Sequence, residues 1–155
     1  LSLLVAFSAV CLFSAALSVA EELSPMSHAV GTFEVKTLPQ PAEDAAGGTA
    51  IGRMLLDKQF HGELEATSVG VMLGVRTPVQ GSAGYVAQEV VTGTLGDRKG
   101  SFVLQHYGVM TRGALEQIVT VVPDSGTEQL TGLSGKMTIT VENGAHNYRL
   151  DYTVP

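Results

Sequence analysis

The stretch Gly81–Gly108, GSAGYVAQEVVTGTLGDRKGSFVLQHYG, decides the fold. Two runs rich in β-branched and aromatic residues flank a polar turn bounded by glycines. That pattern predicts a β-hairpin. With Asp97-Arg98 at the turn centre, Glu89 falls opposite His106, Val91 opposite Leu104 and Tyr85 opposite Met110, all on one face. A slip of one residue would turn this face over, and the glycines beside the turn permit one.

The same signals recur outward from the hairpin. Ala29–Leu38 alternates Gly31, Phe33 and Val35 against Thr32, Glu34 and Lys36, a half-buried strand. Pro39–Gly48, with two prolines and two glycines, reads as a loop. Ile51–Phe60 and Glu63–Val75 form a strand pair joined at His61-Gly62. That turn puts Lys58 opposite Glu65 and predicts an inward face of Met54, Lys58, Phe60, Val69, Val71 and Leu73. Leu115–Val122 is a further strand. Thr127–Gly135 reads as a loop or single helical turn packing Leu130 and Leu133 over one end. Lys136–Glu142 and His146–Val154 close the chain around Asn143-Gly144, which places Ile139 opposite Tyr148 and Met137 opposite Leu150.

The total is eight antiparallel strands with short connections and no helical period outside the amino terminus. Such a set closes readily into an up-and-down barrel, which removes exposed edges. The fold expected is all-β, a single eight-stranded antiparallel barrel over residues 28–155. Its interior should hold Phe33, Val35, Leu104, Ile118, Met137, Ile139, Tyr148 and Leu150. At eight strands there is room for packed side chains or one small ligand.

Leu1–Ala20 contains no charge and ends in Ser18-Val19-Ala20 before Glu21-Glu22. It reads as a cleavable secretory leader, followed by a polar lead-in at 21–27. Cleavage would give a periplasmic or secreted protein with no stable membrane insertion. A translation start at Met26 would instead leave the protein in the cytoplasm. The one cysteine, Cys11, falls in the leader. The remaining domain of about 130 residues therefore has no disulfide and no thiol chemistry. Net charge is −6 and no Lys/Arg run occurs, which excludes a nucleic-acid partner on electrostatic grounds.

Four segments carry a resemblance: LLDKQFHGELEATS (Leu55–Ser68), GSAGYVAQEVVTGTL (Gly81–Leu95), GSFVLQHYG (Gly100–Gly108) and VVPDSGTEQLTGLSG (Val121–Gly135). In this order they resemble a bacterial family of small proteins of unknown function. Its members adopt a calycin-like barrel similar to that of allene oxide cyclase. The resemblance implies the fold. The wider group of such barrels includes cyclases and dirigent-type proteins, which bind an apolar substrate in the barrel interior. Fold alone does not carry an activity across such a group.

Two constellations are candidates for function. Glu89, His106 and Tyr85 share a face, and a carboxylate beside an imidazole raises its basicity and fixes its tautomer. Such a set could serve an isomerase or cyclase by protonating a carbonyl or epoxide oxygen. Lys58 with Glu65 could anchor the polar head of a ligand whose apolar body packs on Phe60, Leu104 and Tyr148. Against both stands a barrel filled by its own side chains, with these groups as structural ion pairs. The four histidines are not spaced for a metal, and no motif calls for a cofactor. The binding reading is preferred over the enzymatic one, with a small apolar ligand and a second copy of the chain as the partners to test.

Overall fold

The computed structural model describes residues 25–43 and 50–155. The leader at 1–20 and most of the lead-in lie outside the described residues. Eight strands follow one another around a closed antiparallel barrel in chain order. They are β1 (Ser27–Glu43), β2 (Ile51–Gly62), β3 (Leu64–Arg76), β4 (Ala83–Leu95), β5 (Arg98–Thr111), β6 (Ala114–Val121), β7 (Ser134–Glu142) and β8 (Ala145–Thr153). The predicted all-β barrel is thus the observed one.

One end of the barrel is plugged. A 3-10 turn, Glu128–Leu130, follows β6 and drives Leu130 and Leu133 into the interior beside Leu64 and Leu95. Above the plug Phe60 packs between Phe33 and Tyr148, with ring centroids 5.2 and 5.7 Å apart. Phe102, Leu104, Val121, Met137 and Leu150 complete a dry core. The other end is open. There β1 to β5 extend well past the tip of the β7–β8 hairpin, because the β1–β8 ladder stops at Phe33 and His146.

The Asn143-Gly144 hairpin forms as the sequence predicts. Both residues take positive φ, the requirement of a type I′ turn. Ile139 pairs with Tyr148 and Met137 with Leu150.

Four expectations are corrected. First, β1 does not end at Leu38 but continues through Pro39 and Pro41. Beyond Phe33 it is bonded to β2 alone, so the missing proline N–H groups fall on an edge where no ladder bond is lost.

Second, the β4–β5 turn centres on Gly96-Asp97, since Leu95 pairs with Arg98. Gly96 supplies the positive φ (61°) of a two-residue turn. Glu89 therefore pairs with Leu104 and Ala87 with His106. This is a slip of two residues, which leaves every side chain on its predicted face.

Third, β2 and β3 slip by three. Lys58 pairs with Ser68 rather than Glu65, and an odd slip turns β3 over. Leu64, Ala66, Ser68 and Met72 face inward, while Val69, Val71 and Leu73 are exposed. The cause lies in where the turn's backbone bonds go. Glu63 donates its N–H to the Val30 carbonyl and accepts from the Gly96 N–H. Leu64 N–H goes to the Tyr148 hydroxyl. Bonds to neighbouring strands replace those of a tight two-residue turn.

Fourth, Ile118 faces out and is 50% exposed, whereas Val119 and Val121 point in.

Candidate functional site

Four polar side chains meet inside the barrel, each from a different strand: Lys58 (β2), Ser68 (β3), Glu89 (β4) and His106 (β5). All four are buried. Glu89 is the hub. Lys58 Nζ lies 2.7 Å from Glu89 Oε1, and His106 Nε2 lies 2.8 Å from the same oxygen. Ser68 Oγ donates to Oε2 at 2.6 Å. Lys58 Nζ also sits 4.8 Å from the centroid of Phe33, over its ring, a cation–π contact in a dry setting.

Burial by itself would raise the Glu89 carboxyl. The His106 hydrogen bond, the Lys58 charge and hydrogen bond, and the Ser68 hydroxyl outweigh it and hold the group at about 2. An ionised carboxylate only accepts, so His106 Nε2 is the donor in its contact. No polar side-chain atom buried in the described residues lacks a hydrogen-bond partner. This closed set is how a protein keeps a charge in a low-dielectric interior. A carboxyl held this low does not deliver a proton near neutrality and is a weak base. Its chemistry is to hold Lys58 and His106 in place.

A cavity of about 730 Å³ opens above this cluster at the unplugged end. Met54, Met72, Met110, Val75, Leu115 and Tyr85 give its wall its character. Three of the chain's five methionines are among them. Methionine is unbranched and polarizable, and it adapts to irregular apolar shapes. The Tyr85 hydroxyl accepts a hydrogen bond from Gln117, and Arg76 stands at the rim. The cluster does not line this space. On β2, Leu56 lies between Met54 and Lys58, and on β4, Ala87 lies between Tyr85 and Glu89. Both are buried and separate the cluster from the cavity lining. His106 is one inward position below Gly108, which does line the cavity.

The sequence-predicted residues therefore divide. Glu89 and His106 are in contact, but only Tyr85 of that trio reaches the cavity. Lys58 is inside with Glu89 as its partner. Glu65 is on the outer surface, where Oε1 accepts from the Gly62 N–H at 2.8 Å, so the Lys58–Glu65 pair does not form. Phe60, Leu104 and Tyr148 are packed in the core below, away from the cavity. Ser68 was hidden from sequence reading by the β2–β3 register. Gln117 alternates correctly with Val119 and Val121, a signal that was present in the strand. Among the described residues no three His, Cys, Asp or Glu side chains are grouped to hold a metal ion.

Residues 29–152 match the family described as "Protein of unknown function (DUF3224)". A crystal structure of a DUF3224 protein of unknown function from Shewanella oneidensis MR-1 is similar, with 50% sequence identity and a TM-score of 0.79. The match covers 84% of this chain and 99% of that one. No curated protein matches the chain.

Proposed function

We propose, from the premise that the chain belongs to the DUF3224 family of proteins of unknown function, that it is a binding barrel for a small, mostly apolar molecule held at the open end. The observation that carries this reading is the methionine-lined cavity of about 730 Å³. That volume lies in the range of small-molecule sites, and an apolar wall with few polar groups is their usual make-up. Tyr85 and Arg76 are the groups positioned to orient a polar end of the ligand. The buried Lys58–Ser68–Glu89–His106 cluster lies below the cavity lining and takes no part in chemistry on the ligand.

An uncharged apolar fluorophore, N-phenyl-1-naphthylamine, tests this in a chain without tryptophan. Saturable binding of one probe per chain is expected. Met72→Trp, which fills the cavity from a partly buried position, should weaken it at least tenfold. Absence of saturable binding, or an affinity indifferent to Met72→Trp, would overturn the reading.

A further inference from the structure

The outer wall of the barrel is uneven. Along β7 and β8 the outward residues are polar or charged, as at Lys136, Thr138, Arg149 and Asp151. Along β3 and β4 they include Val69, Val71, Leu73, Val86 and Val90, every one of them exposed, with Gln88 among them and Thr67 and Thr92 beyond. The strand registers arrange this face in three cross-strand rows. These are Asp57–Val69–Val90, Leu55–Val71–Gln88 and Arg53–Leu73–Val86. Leu38, also exposed, continues the middle row onto β1. A contiguous apolar face of this kind on a barrel wall marks a contact surface.

We propose that this face binds a second copy of the chain, forming a two-fold dimer centred on Val71. The pattern of charge carries the assignment. In a two-fold contact the same patch is used on both copies, so it must complement itself. With the axis along the middle row, Val71 meets Val71 of the second copy and the outer rows exchange. Val69 then lies over Leu73, Val90 over Val86, and Arg53 over Asp57, the last pair occurring twice. With the axis along β3 instead, Asp57 would lie over Val90 and Arg53 over Val86, leaving each charge against valine, which is costly. Only the first arrangement pairs the charges. Among the described residues neither Arg53 nor Asp57 has an ion-pair partner within its own chain. The two β3 strands would run antiparallel across an aligned sheet-on-sheet contact.

Sedimentation velocity of the full chain tests this. The wild type is expected to sediment as a dimer. Val71→Lys sets two ammonium groups against each other on the axis. It should give a monomer with an unchanged far-UV spectrum. Arg53→Asp should weaken the dimer at least tenfold by placing carboxylates together, and adding Asp57→Arg should restore it by exchanging the charges. A wild type that is monomeric or forms a higher assembly overturns the proposal. So does a dimer unaffected by Val71→Lys, or a double exchange that dimerises no better than Arg53→Asp. A monomer that floats with phosphatidylcholine vesicles would assign the face to a membrane surface instead.

Discussion

Lys58 and Glu89 are bonded across a strand that separates them. β2 and β4 do not pair, and β3 runs between, yet Lys58 Nζ reaches Glu89 Oε1 at 2.7 Å. The reach depends on what β3 places beneath the contact. Ser68 there donates to the second carboxylate oxygen, and the next inward position is Gly70. A Cβ at Gly70 would come within 2.6 Å of the Glu89 Cβ. A small hydroxyl and a glycine thus make the room in which two long side chains meet.

Removing the carboxylate should be the most damaging single change at the cluster. Glu89→Ala leaves the Lys58 ammonium buried without its counter-charge, and we expect a loss of about 3–5 kcal/mol in urea denaturation. Lys58→Met combined with Glu89→Gln removes both charges together and should recover most of that loss. If the pair of changes is no more stable than Glu89→Ala, the cluster is not held by charge pairing.

Acid should act on the same group. Glu89 is held at about 2 in the folded chain, against 4.5 for the free group. A lowered folded value stabilises the protein above about pH 4.5, and that contribution disappears as pH falls towards 2. It amounts to about 3 kcal/mol at 1.36 kcal/mol per unit. Urea midpoints measured from pH 6 down to 2.5 should fall, and the fall should be shallower in Glu89→Gln. Equal slopes in the two proteins would place the acid sensitivity elsewhere.

Tyr148 should prove structural. Its hydroxyl accepts the Leu64 N–H at 2.9 Å and donates to the His61 carbonyl at 3.3 Å, tying β8 to the β2–β3 turn. Burial, with the nearby Glu63 and Glu65 charges, pushes the hydroxyl above its usual range and keeps it protonated. Tyr148→Phe leaves a buried amide unpaired and should cost about 1–3 kcal/mol. Probe affinity at the open end, measured by fluorescence titration, should not change.

The facing of β6 can be checked by a pair of matched substitutions. Ile118→Ser, at an exposed position, should alter stability by no more than about 0.5 kcal/mol. Val119→Ser empties core volume and buries a hydroxyl, and should cost about 2–3 kcal/mol. Denaturation curves that reverse this order would reverse the strand.

How much of this was legible in the sequence depended on the parity of each error. The β4–β5 turn was placed two residues away from its expected pairing, and because side chains alternate with period two, Glu89, His106 and Leu104 stayed inside. The β2–β3 turn was off by three, and the odd number exchanged Ser68 and Ala66 for Val69 and Val71. Hydrophobicity favoured the wrong answer there, since the outward residues of β3 are the more apolar set. Ile118 misled as a single bulky residue, since the neighbours that share its face, Glu116 and Thr120, are polar. The partner of Lys58 could not be found by pairing neighbouring strands, because Glu89 stands two strands away. The cavity was foreseeable only as a property of eight strands. Its methionines lie on three strands whose unequal extension past β7 and β8 no local pattern records.

The joint between β6 and β7 is of a different kind from the others. A single ladder position, Thr120 with Lys136, connects these strands. The two strands furthest apart in the chain, β1 and β8, are laced from Ser27–Tyr152 to Phe33–His146. The barrel's slack therefore lies between two late strands, while its first and last strands are clasped. Deuterium should enter the β6 and β7 amides that face this joint before those of the continuous ladders, and the wall is weakest there while β1 and β8 remain fastened to each other. A molecule too wide for the rim would have a sideways door.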